Sequence, residues 1–338
     1  MPGFGFGVGF GLSRPGKPTP GVITGTARPG NTLTSTRAGQ WRINGVDVIG
    51  QTGNTFAVPY TTSPGDLITQ APASNTRTVA AYDTDAAAEI TAVISAGGSG
   101  EWGSSPGNRA NNKWLRDDMV IALKAAGLFT GFKYRVLAGT NTIAGGLVAG
   151  KGGAITNNNF VSGDIDLLTG WMSDGTTKYL GTDWAGNANG QNDFSAWCWV
   201  TSAPTSALTV KAYFGNSTGG GTGTIQLLKA SAGDELAARA KNTTIQTPSG
   251  NTSSLTGLFL MDRMNSGQFV FRNQNTEQVF SIATDGNSAN ALTFFSRAAV
   301  GISDARISAF GTGPSVQTSG QRALLESILQ NYHNSLQA

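Results

Sequence analysis

The sequence predicts a mainly β protein, with two strand-rich regions, a helical connector between them and a helix at the end. Three observations predict this fold class. The 338-residue chain holds 47 glycines and is only 13% charged, and glycine with threonine and asparagine is typical of short strands joined by turns. Short β-branched and aromatic runs end at turn pairs such as Asn44-Gly45. Apolar residues at helical spacing occur in the connector and at the end of the chain.

Residues 1–21 are predicted to be an anchoring arm with a hinge. Met1 to Leu12 read MPGFGFGVGFGL, and SRPGKPTPG follows as a Pro/Gly hinge. Glycine alternates with five apolar residues, Phe4, Phe6, Val8, Phe10 and Leu12. The glycines make independent folding costly in entropy, while the apolar side chains favour burial. We therefore predict that the arm docks into another subunit or another protein; a disordered tail is the alternative.

Residues 22–82 are predicted to form a small β-sandwich. Turn residues separate seven short strands, Val22–Ala27, Thr32–Thr36, Gln40–Ile43, Val46–Ile49, Thr55–Val58, Leu67–Ala71 and Thr78–Ala81. Within the stretch 40–68, a set of residues matches a known pattern: Trp41, Asn44-Gly45, Ile49-Gly50, Thr52, Thr55, Val58, Gly65 and Ile68. Through these residues the stretch resembles the immunoglobulin-like modules of phage and bacterial surface proteins. The resemblance implies that Trp41 fills the core, without the cysteine that often follows the position of Ile68.

Residues 83–141 are predicted to be a helical connector. Asp85–Ser95 and Asn111–Ala126 carry helical signals, and Gly127 stands where a C-cap glycine is expected. The strand signal returns over 142–314, in Phe194–Thr201, Ala207–Phe214, Thr224–Lys229, Leu255–Met261, Gln268–Arg272, Gln278–Ala283, Ala291–Phe295 and Arg306–Phe310. Eight or more strands over this length fit a large two-sheet jelly roll.

Residues 315–338 are predicted to close the chain with an amphipathic helix. Gln321–Leu336 carries one apolar stripe, formed by Leu324, Leu325, Ile328, Leu329, Tyr332 and Leu336. Thr318 or Ser319 would cap this helix.

Five stretches match a known pattern in the same order: Ala110–Phe129, Tyr134–Ala138, Leu168–Leu180, Leu258–Asn273 and Asp304–Leu336. They are similar to a family of phage virion proteins, in which a helical segment precedes a concanavalin A-like (laminin G-like) jelly roll and a short terminal helix. One departure is Gln274, which replaces the glycine of the family's hairpin. The resemblance implies a structural protein of a fibre, spike, collar or tail, located in the virion. Its implied partners are other virion proteins and further copies of the chain, a trimer by analogy with phage fibres.

Composition argues against several other classes. The net charge is +3 and no Lys/Arg run occurs, so no nucleic-acid partner is predicted. No stretch of about 20 apolar residues predicts a membrane span. Cys198 is the only cysteine, which rules out an intrachain disulfide and a cysteine-built zinc site. No signal peptide is predicted, because no positive charge precedes the apolar start.

Few side chains of the sequence suit catalysis. Glycosidases on the concanavalin A-like fold need paired carboxylates, and the nearest pair is Asp164 with Asp166, which would share a strand face. A polar loop before a strand is the preferred interpretation of that pair. His333 is the only histidine and is predicted to be a solvated helix residue; Cys198 is predicted to be buried. No catalytic residue and no metal site are therefore predicted.

Two tryptophans are the candidate glycan-binding residues. Trp197 and Trp199 share one face of the predicted strand 194–201, where they would stack on a sugar. Burial under a loop, the terminal helix or another subunit is the preferred interpretation, because large aromatic side chains are usually buried. Calcium is the one cofactor considered, through Asp174, Asp183 and Asp193, although these lack regular ligand spacing.

The sequence thus predicts a non-enzymatic structural component of a bacteriophage virion, anchored by its arm and carrying a lectin-like body. Two alternatives stay open. One is a receptor-recognition protein for host-surface glycans, and the other is a glycoside hydrolase acting through Asp164 and Asp166.

Overall fold

Two compact units make up the chain, Met1–Ala81 and Tyr82–Ala338. The computed structural model describes residues 21–71, 75–98, 112–205, 210–218, 220–229, 235–248 and 255–337. The predicted anchor residues, Phe4 to Leu12, lie outside the described residues. The residues of the predicted connector, 83–141, belong to the second unit together with the jelly roll.

The first unit consists of two small antiparallel sheets. Its strands are β1 (Ile23–Thr24), β2 (Thr32–Ser35), β3 (Gln40–Ile43), β4 (Val46–Asp47), β5 (Thr55–Ala57), β6 (Leu67–Ala71) and β7 (Arg77–Thr78). One sheet has the order β1-β2-β5 and the other the order β4-β3-β6-β7. Asn44 and Gly45, both with positive φ, form the predicted turn between β3 and β4.

Trp41 fills the core of the first unit, as its position in β3 predicts. The side chain is fully buried and its ring stacks on Phe56 at 5.2 Å between centroids. Its indole Nε1 donates to the carbonyl of Gly53 at 2.9 Å. The buried indole therefore keeps a hydrogen-bond partner, as an indole removed from water requires.

Four helices occur among the described residues, all in the second unit: α1 (Thr84–Ser95), α2 (Asn112–Ala125), α3 (Ile143–Val148) and α4 (Ser319–Gln337). The Asp83 carboxylate caps α1 by accepting from the amide of Asp85. Gly127 has a φ of +72°, as expected of a C-cap glycine after α2. Thr318 is the cap of α4, because its hydroxyl accepts from the amide of Gln321 at 3.1 Å.

Two antiparallel sheets form the body of the second unit. The strands are β8 (Lys133–Val136), β9 (Gly150–Lys151), β10 (Ile155–Asn158), β11 (Ile165–Asp166), β12 (Gly170–Met172), β13 (Tyr179–Ala185), β14 (Phe194–Ser202), β15 (Lys211–Gly215), β16 (Ile225–Lys229), β17 (Leu236–Ala240), β18 (Gly257–Arg263), β19 (Gln268–Asn273), β20 (Thr276–Ser281), β21 (Ala291–Phe294) and β22 (Arg306–Gly313). The six-stranded sheet has the order β10-β13-β21-β15-β16-β17. The nine-stranded sheet has the order β11-β12-β22-β14-β18-β19-β20, and β8 joins it by pairing with β22 and β9.

Apolar side chains of both sheets form one core. Alternation along β14 directs Phe194, Ala196, Cys198 and Val200 into it. Phe294 of the six-stranded sheet stacks on Phe310 of the nine-stranded sheet at 4.1 Å. Cys198 is free and fully buried, as predicted, and burial raises the pKa of its thiol.

The helix α4 covers the outer face of the nine-stranded sheet. Five members of its predicted stripe are buried, Leu325, Ile328, Leu329, Tyr332 and Leu336, whereas Leu324 is 49% exposed. Tyr332 also contacts α2, because the guanidinium of Arg116 lies 5.1 Å from its ring centroid. The last helix is therefore an integral layer of the second unit.

Candidate functional site

The two candidate tryptophans lie on the outer face of the nine-stranded sheet, but both are buried. Trp197 is 2% exposed and packs beside Phe132, while Trp199 is 4% exposed and stacks on His333 at 5.2 Å. Gly311 lies under Trp197 so closely that a Cβ there would lie 2.5 Å from the ring. The structure thus places both rings under α4 and the segment before β8, which is the burial that the sequence favoured over stacking on a glycan.

His333 is buried, although the sequence predicted a solvated residue. It lies four positions after Leu329, so it shares the sheet-facing side of α4. Its Nε2 lies 2.7 Å from the hydroxyl of Ser308. Burial, with Arg116 nearby, lowers the pKa of His333 to about 3. The ring is therefore neutral at neutral pH and belongs to the helix–sheet interface.

A chain of five charged residues ties α4 to the nine-stranded sheet; we call it the ionic network. Its members are Asp262, Arg322, Glu277, Arg272 and Glu326. Arg322 donates a hydrogen bond to Asp262 at 3.0 Å and two hydrogen bonds to the carboxylate of Glu277 at 3.0 and 3.1 Å. Arg272 donates to Glu277 at 2.9 Å and to Glu326 at 2.7 Å.

Burial and pairing together determine the pKa values of the carboxyl groups in the ionic network. Burial raises the pKa of Asp262 to about 7, against the hydrogen bonds from Val316 and Arg322. The carboxyl of Glu277 is less buried. Burial acts to raise its pKa, but the hydrogen bonds from Arg322 and Arg272 outweigh burial, so the pKa of Glu277 is lowered. All five side chains have partners inside the network.

A second buried polar group joins the helices to β8. Glu89 of α1 and Arg116 of α2 form an ion pair with 3.2 Å between carboxylate and Nε, and both are almost fully buried. The Tyr134 hydroxyl donates to Glu89 at 3.4 Å. Burial raises the pKa of Glu89, while Arg116 opposes the rise. The sequence contained no local signal for this pair, because its members lie 27 residues apart in the chain.

A polar cleft of about 470 Å³ opens beside the C-terminal half of α4; we call it the α4 cleft. One wall is α4 itself, with Gln330, Asn334 and Gln337. The opposite wall includes Thr201 of β14 and the turn between β19 and β20. Trp199 and His333 also line it, so the cleft borders the buried aromatic pair that joins α4 to the sheet.

The β19–β20 turn at this cleft is a two-residue hairpin turn. Asn273 pairs with Thr276, and the two residues between them, Gln274 and Asn275, have φ of +45° and +64°. Positive φ at both central positions is the regular geometry of such a turn, and glycine or asparagine adopts it most readily. The turn places the Gln274 side chain on the wall of the α4 cleft.

The two aspartates considered for glycoside hydrolysis do not share a strand face. Asp164 ends a 3-10 turn and pairs with Lys178 at 2.6 Å, whereas Asp166 lies in β11. Asp166 accepts from the amides of Leu168 and Thr169, both at 2.9 Å. Partial burial acts to raise the pKa of Asp166, but these hydrogen bonds outweigh burial, so the pKa is lowered. Both carboxylates therefore accept hydrogen bonds from nearby backbone amides and stabilise the local chain.

The three aspartates considered for calcium have separate partners. Asp174 accepts from the amides of Thr176, Thr177 and Lys178. Asp183 accepts from Ala154, and Asp193 accepts from the amide and hydroxyl of Ser315. Within the part of the chain that the structure describes, no group of three or more His, Cys, Asp or Glu side chains could hold a metal. No helix in the described ranges is long and apolar enough to cross a bilayer.

No family model and no curated protein matches the chain. Among solved structures, it is similar to the binding domain of botulinum neurotoxin serotype D, at 9% identity over 58% of this chain and 51% of that one, with a TM-score of 0.40. It is similar to the Trypanosoma rangeli sialidase at 8% identity over 65% and 39%, with a TM-score of 0.41. It is also similar to CBM40 of Ruminococcus gnavus IT-sialidase, solved with alpha2,3 sialyllactose, at 8% identity over 43% and 92%, with a TM-score of 0.31.

The chain spans about half the length of the neurotoxin binding domain that it matches. These overlaps are partial and at low identity, so no function is transferred from them. The strands and sheets themselves establish the class of the protein: a mainly β chain whose larger unit is a two-sheet sandwich with a helix on its outer face.

Proposed function

We propose that the chain is a non-enzymatic structural protein of a bacteriophage particle, held there by its N-terminal arm. The observation that carries the proposal is spatial. The five stretches that resemble phage virion proteins, scattered between 110 and 336 in the sequence, all contribute to one layer: the nine-stranded sheet and the helices on it.

Direct contacts join these five stretches. β8 and β12 both pair with β22, through Arg135–Phe310 and Trp171–Ile307. The α4 helix at the end of the last stretch contacts α2, which belongs to the first. It also contacts the β18–β19 hairpin through the ionic network. The five stretches thus share one layer, as a single module would require, and this is consistent with the resemblance on which the proposal rests.

The surroundings of the reactive side chains support a role without catalysis. His333 is held between Trp199 and Ser308, and Cys198 lies in the core. The acids of the described ranges that the sequence singled out, such as Asp164 and Asp166, hold backbone or basic partners. A catalytic acid or base needs access to substrate. Burial denies that access to His333 and Cys198, while the exposed Asp166 accepts from the amides of its own turn. We propose further copies of the chain as additional partners, in a trimer by analogy with phage fibres.

Deleting residues 2–12 is expected to leave a folded protein that no longer enters particles. The described residues of both units begin at Gly21, after this segment, while burial of its apolar residues would supply binding energy at about 25 cal/mol per Å². The test complements a phage lacking the gene with the truncated chain and measures the chain in purified particles.

A matched variant separates apolar anchoring from arm length. It replaces Phe4, Phe6, Val8, Phe10 and Leu12 by serine and keeps every glycine. This variant is also expected to be missing from particles. Normal incorporation of both variants would refute the anchor, and absence of the unaltered chain from particles would refute the virion role itself.

A further inference from the structure

We infer that the α4 cleft binds an uncharged saccharide, which side-chain amides and hydroxyls hold without aromatic stacking. Trp199 borders this cleft, but its ring is 4% exposed and stacked on His333, so it is not open to stack on a sugar. The α4 cleft has a volume of about 470 Å³, which lies within the range of small-ligand sites, roughly 300–1,000 Å³. The inference does not depend on the virion role.

Amide and hydroxyl side chains dominate the walls of the cleft. Gln330, Asn334 and Gln337 line it from α4, one to two helical turns apart. The amide of Gln330 donates to that of Asn334 at 2.7 Å, and the hydroxyl of Thr201 donates to the carbonyl of Thr169 at 2.6 Å. Both amides keep further donor and acceptor positions, and the Thr201 hydroxyl can still accept. Sugar hydroxyls likewise donate and accept. The lining therefore matches a ligand with several hydroxyl groups in a small volume.

The charges of the lining are neutralised within the protein. Glu326 lines the cleft, but its carboxylate accepts from Arg272 at 2.7 Å and from the amide of Asn275 at 3.0 Å. His333, the other titratable residue among those described on the lining, is neutral because of its burial. A charged ligand would find no counter-charge free to pair with it here. This favours a neutral ligand over an acidic or phosphorylated one.

The β19–β20 turn places one more amide on the cleft wall. Gln274 occupies the first central position of a two-residue hairpin turn, where a positive φ is the regular geometry. Its amide donates to the carbonyl of Thr256 at 3.3 Å, which holds the side chain beside the cleft. A ligand in the cleft would contact this side chain.

The two walls are held at a fixed separation before any ligand arrives. Glu326 of α4 accepts from both Arg272 and the backbone of Asn275, so the turn and the helix are tied together. Rigid walls reduce the entropy lost on binding. Between them lies His333, whose Nδ1 is buried without a hydrogen-bond partner in the described part of the chain. A ligand hydroxyl would satisfy such an atom.

An extended peptide is the main competing ligand, and the sheet topology disfavours it. Peptides commonly bind by adding a strand to an open sheet edge. The strands at this cleft, β14 and β18, are paired on both sides, β14 with β18 and β22, and β18 with β14 and β19. No strand edge is therefore offered, and recognition must come from side chains.

The test uses the intact chain and an array of neutral and acidic glycans, followed by calorimetric titration of neutral hits to roughly 10 mM, beyond the millimolar range of weak binding. Gln274→Gly and Asn334→Ala are each expected to weaken binding about tenfold, as loss of one or two hydrogen bonds would. Gln274→Gly should leave thermal stability equal or higher, because glycine adopts a positive φ more readily than glutamine.

Two matched controls should bind within twofold of the unaltered chain. Asn331→Ala changes an exposed asparagine of the same helix that does not line the cleft, and Asn44→Gly relaxes a left-handed turn position in the first unit. Failure to bind any neutral saccharide, binding of acidic glycans or short peptides only, or binding unaffected by both cleft variants would each overturn the inference. None of these results depends on whether the chain enters particles.

Discussion

Replacing Arg322 by methionine is expected to lower the free energy of unfolding by about 3–5 kcal/mol, the cost of breaking a buried ion pair from one side. Its guanidinium donates to Asp262, to Glu277 and to the carbonyl of Val316. Without it, Asp262 keeps a fully buried carboxyl and loses its counter-charge. Urea unfolding of the whole chain, followed by tryptophan fluorescence, measures the loss; Trp41 is the only tryptophan of the first unit.

Two further variants make this prediction specific. Arg322→Met combined with Asp262→Asn should recover part of the loss, because an amide at 262 still accepts from the amide of Val316 without a charge. Lys124→Met removes the partner of Asp83 and Asp85 on the surface of the same unit. It should leave the midpoint nearly unchanged, since exposed pairs contribute little. A loss below about 1 kcal/mol for Arg322→Met would show that the ionic network does not hold α4.

Asp262→Asn and His333→Gln are expected to change the pH dependence of stability in opposite senses. The pKa of Asp262 is about 7 in the folded state, against about 3.9 when unfolded. The folded state then binds the proton more tightly, so this group lowers stability as pH rises from about 4 to 7. The pKa of His333 is about 3, against about 6.5 unfolded. This group lowers stability as pH falls from about 6.5 to 3.

Between pH 4 and 6.5 the two contributions oppose each other, so they largely cancel in the unaltered chain. Asp262→Asn removes the aspartate contribution, so only the histidine contribution remains. On acidification from pH 6.5 to 4, the free energy of unfolding of this variant should fall by roughly 3 kcal/mol more than that of the unaltered chain. His333→Gln should instead become more stable on acidification, by a similar amount. Urea midpoints at pH 4, 5 and 6.5 measure both. Curves parallel to the unaltered chain would mean that neither group is buried with a shifted pKa.

Strand positions were predictable where alternation and turn residues coincide. Gln40–Ile43 and Leu67–Ala71 were predicted with the bounds that the structure gives, because one face of each packs on the core and turn residues flank them. The helix α3 was missed, since its sequence IAGGLV is short and contains two glycines of low helix propensity. Packing against the rest of the unit decides its conformation.

Exposure was less predictable than strand position. Alternation placed Trp197 and Trp199 on the outer face correctly, but the pattern does not say whether that face meets solvent or another layer. The apolar stripe of α4 was visible, and so was the strand; their contact joins residues over 130 positions apart in the sequence. His333 could have been assigned to the buried face from its spacing of four after Leu329.

The α4 cleft was not predictable as a site. Its walls come from segments around 169, 201, 257, 274 and 330, which only the sheet topology brings together. The one local signal was Gln274, a departure from glycine in the hairpin motif. Its meaning depends on the φ of +45° that the structure shows.

Composition of purified particles tests the proposal of a virion protein most directly. On this proposal, quantitative mass spectrometry of purified particles of the encoding phage should find the chain in a fixed copy number per particle. A cryo-electron microscopy map should contain a two-sheet sandwich with a 19-residue helix on its outer face. A chain abundant in infected cells but absent from purified particles would contradict the account.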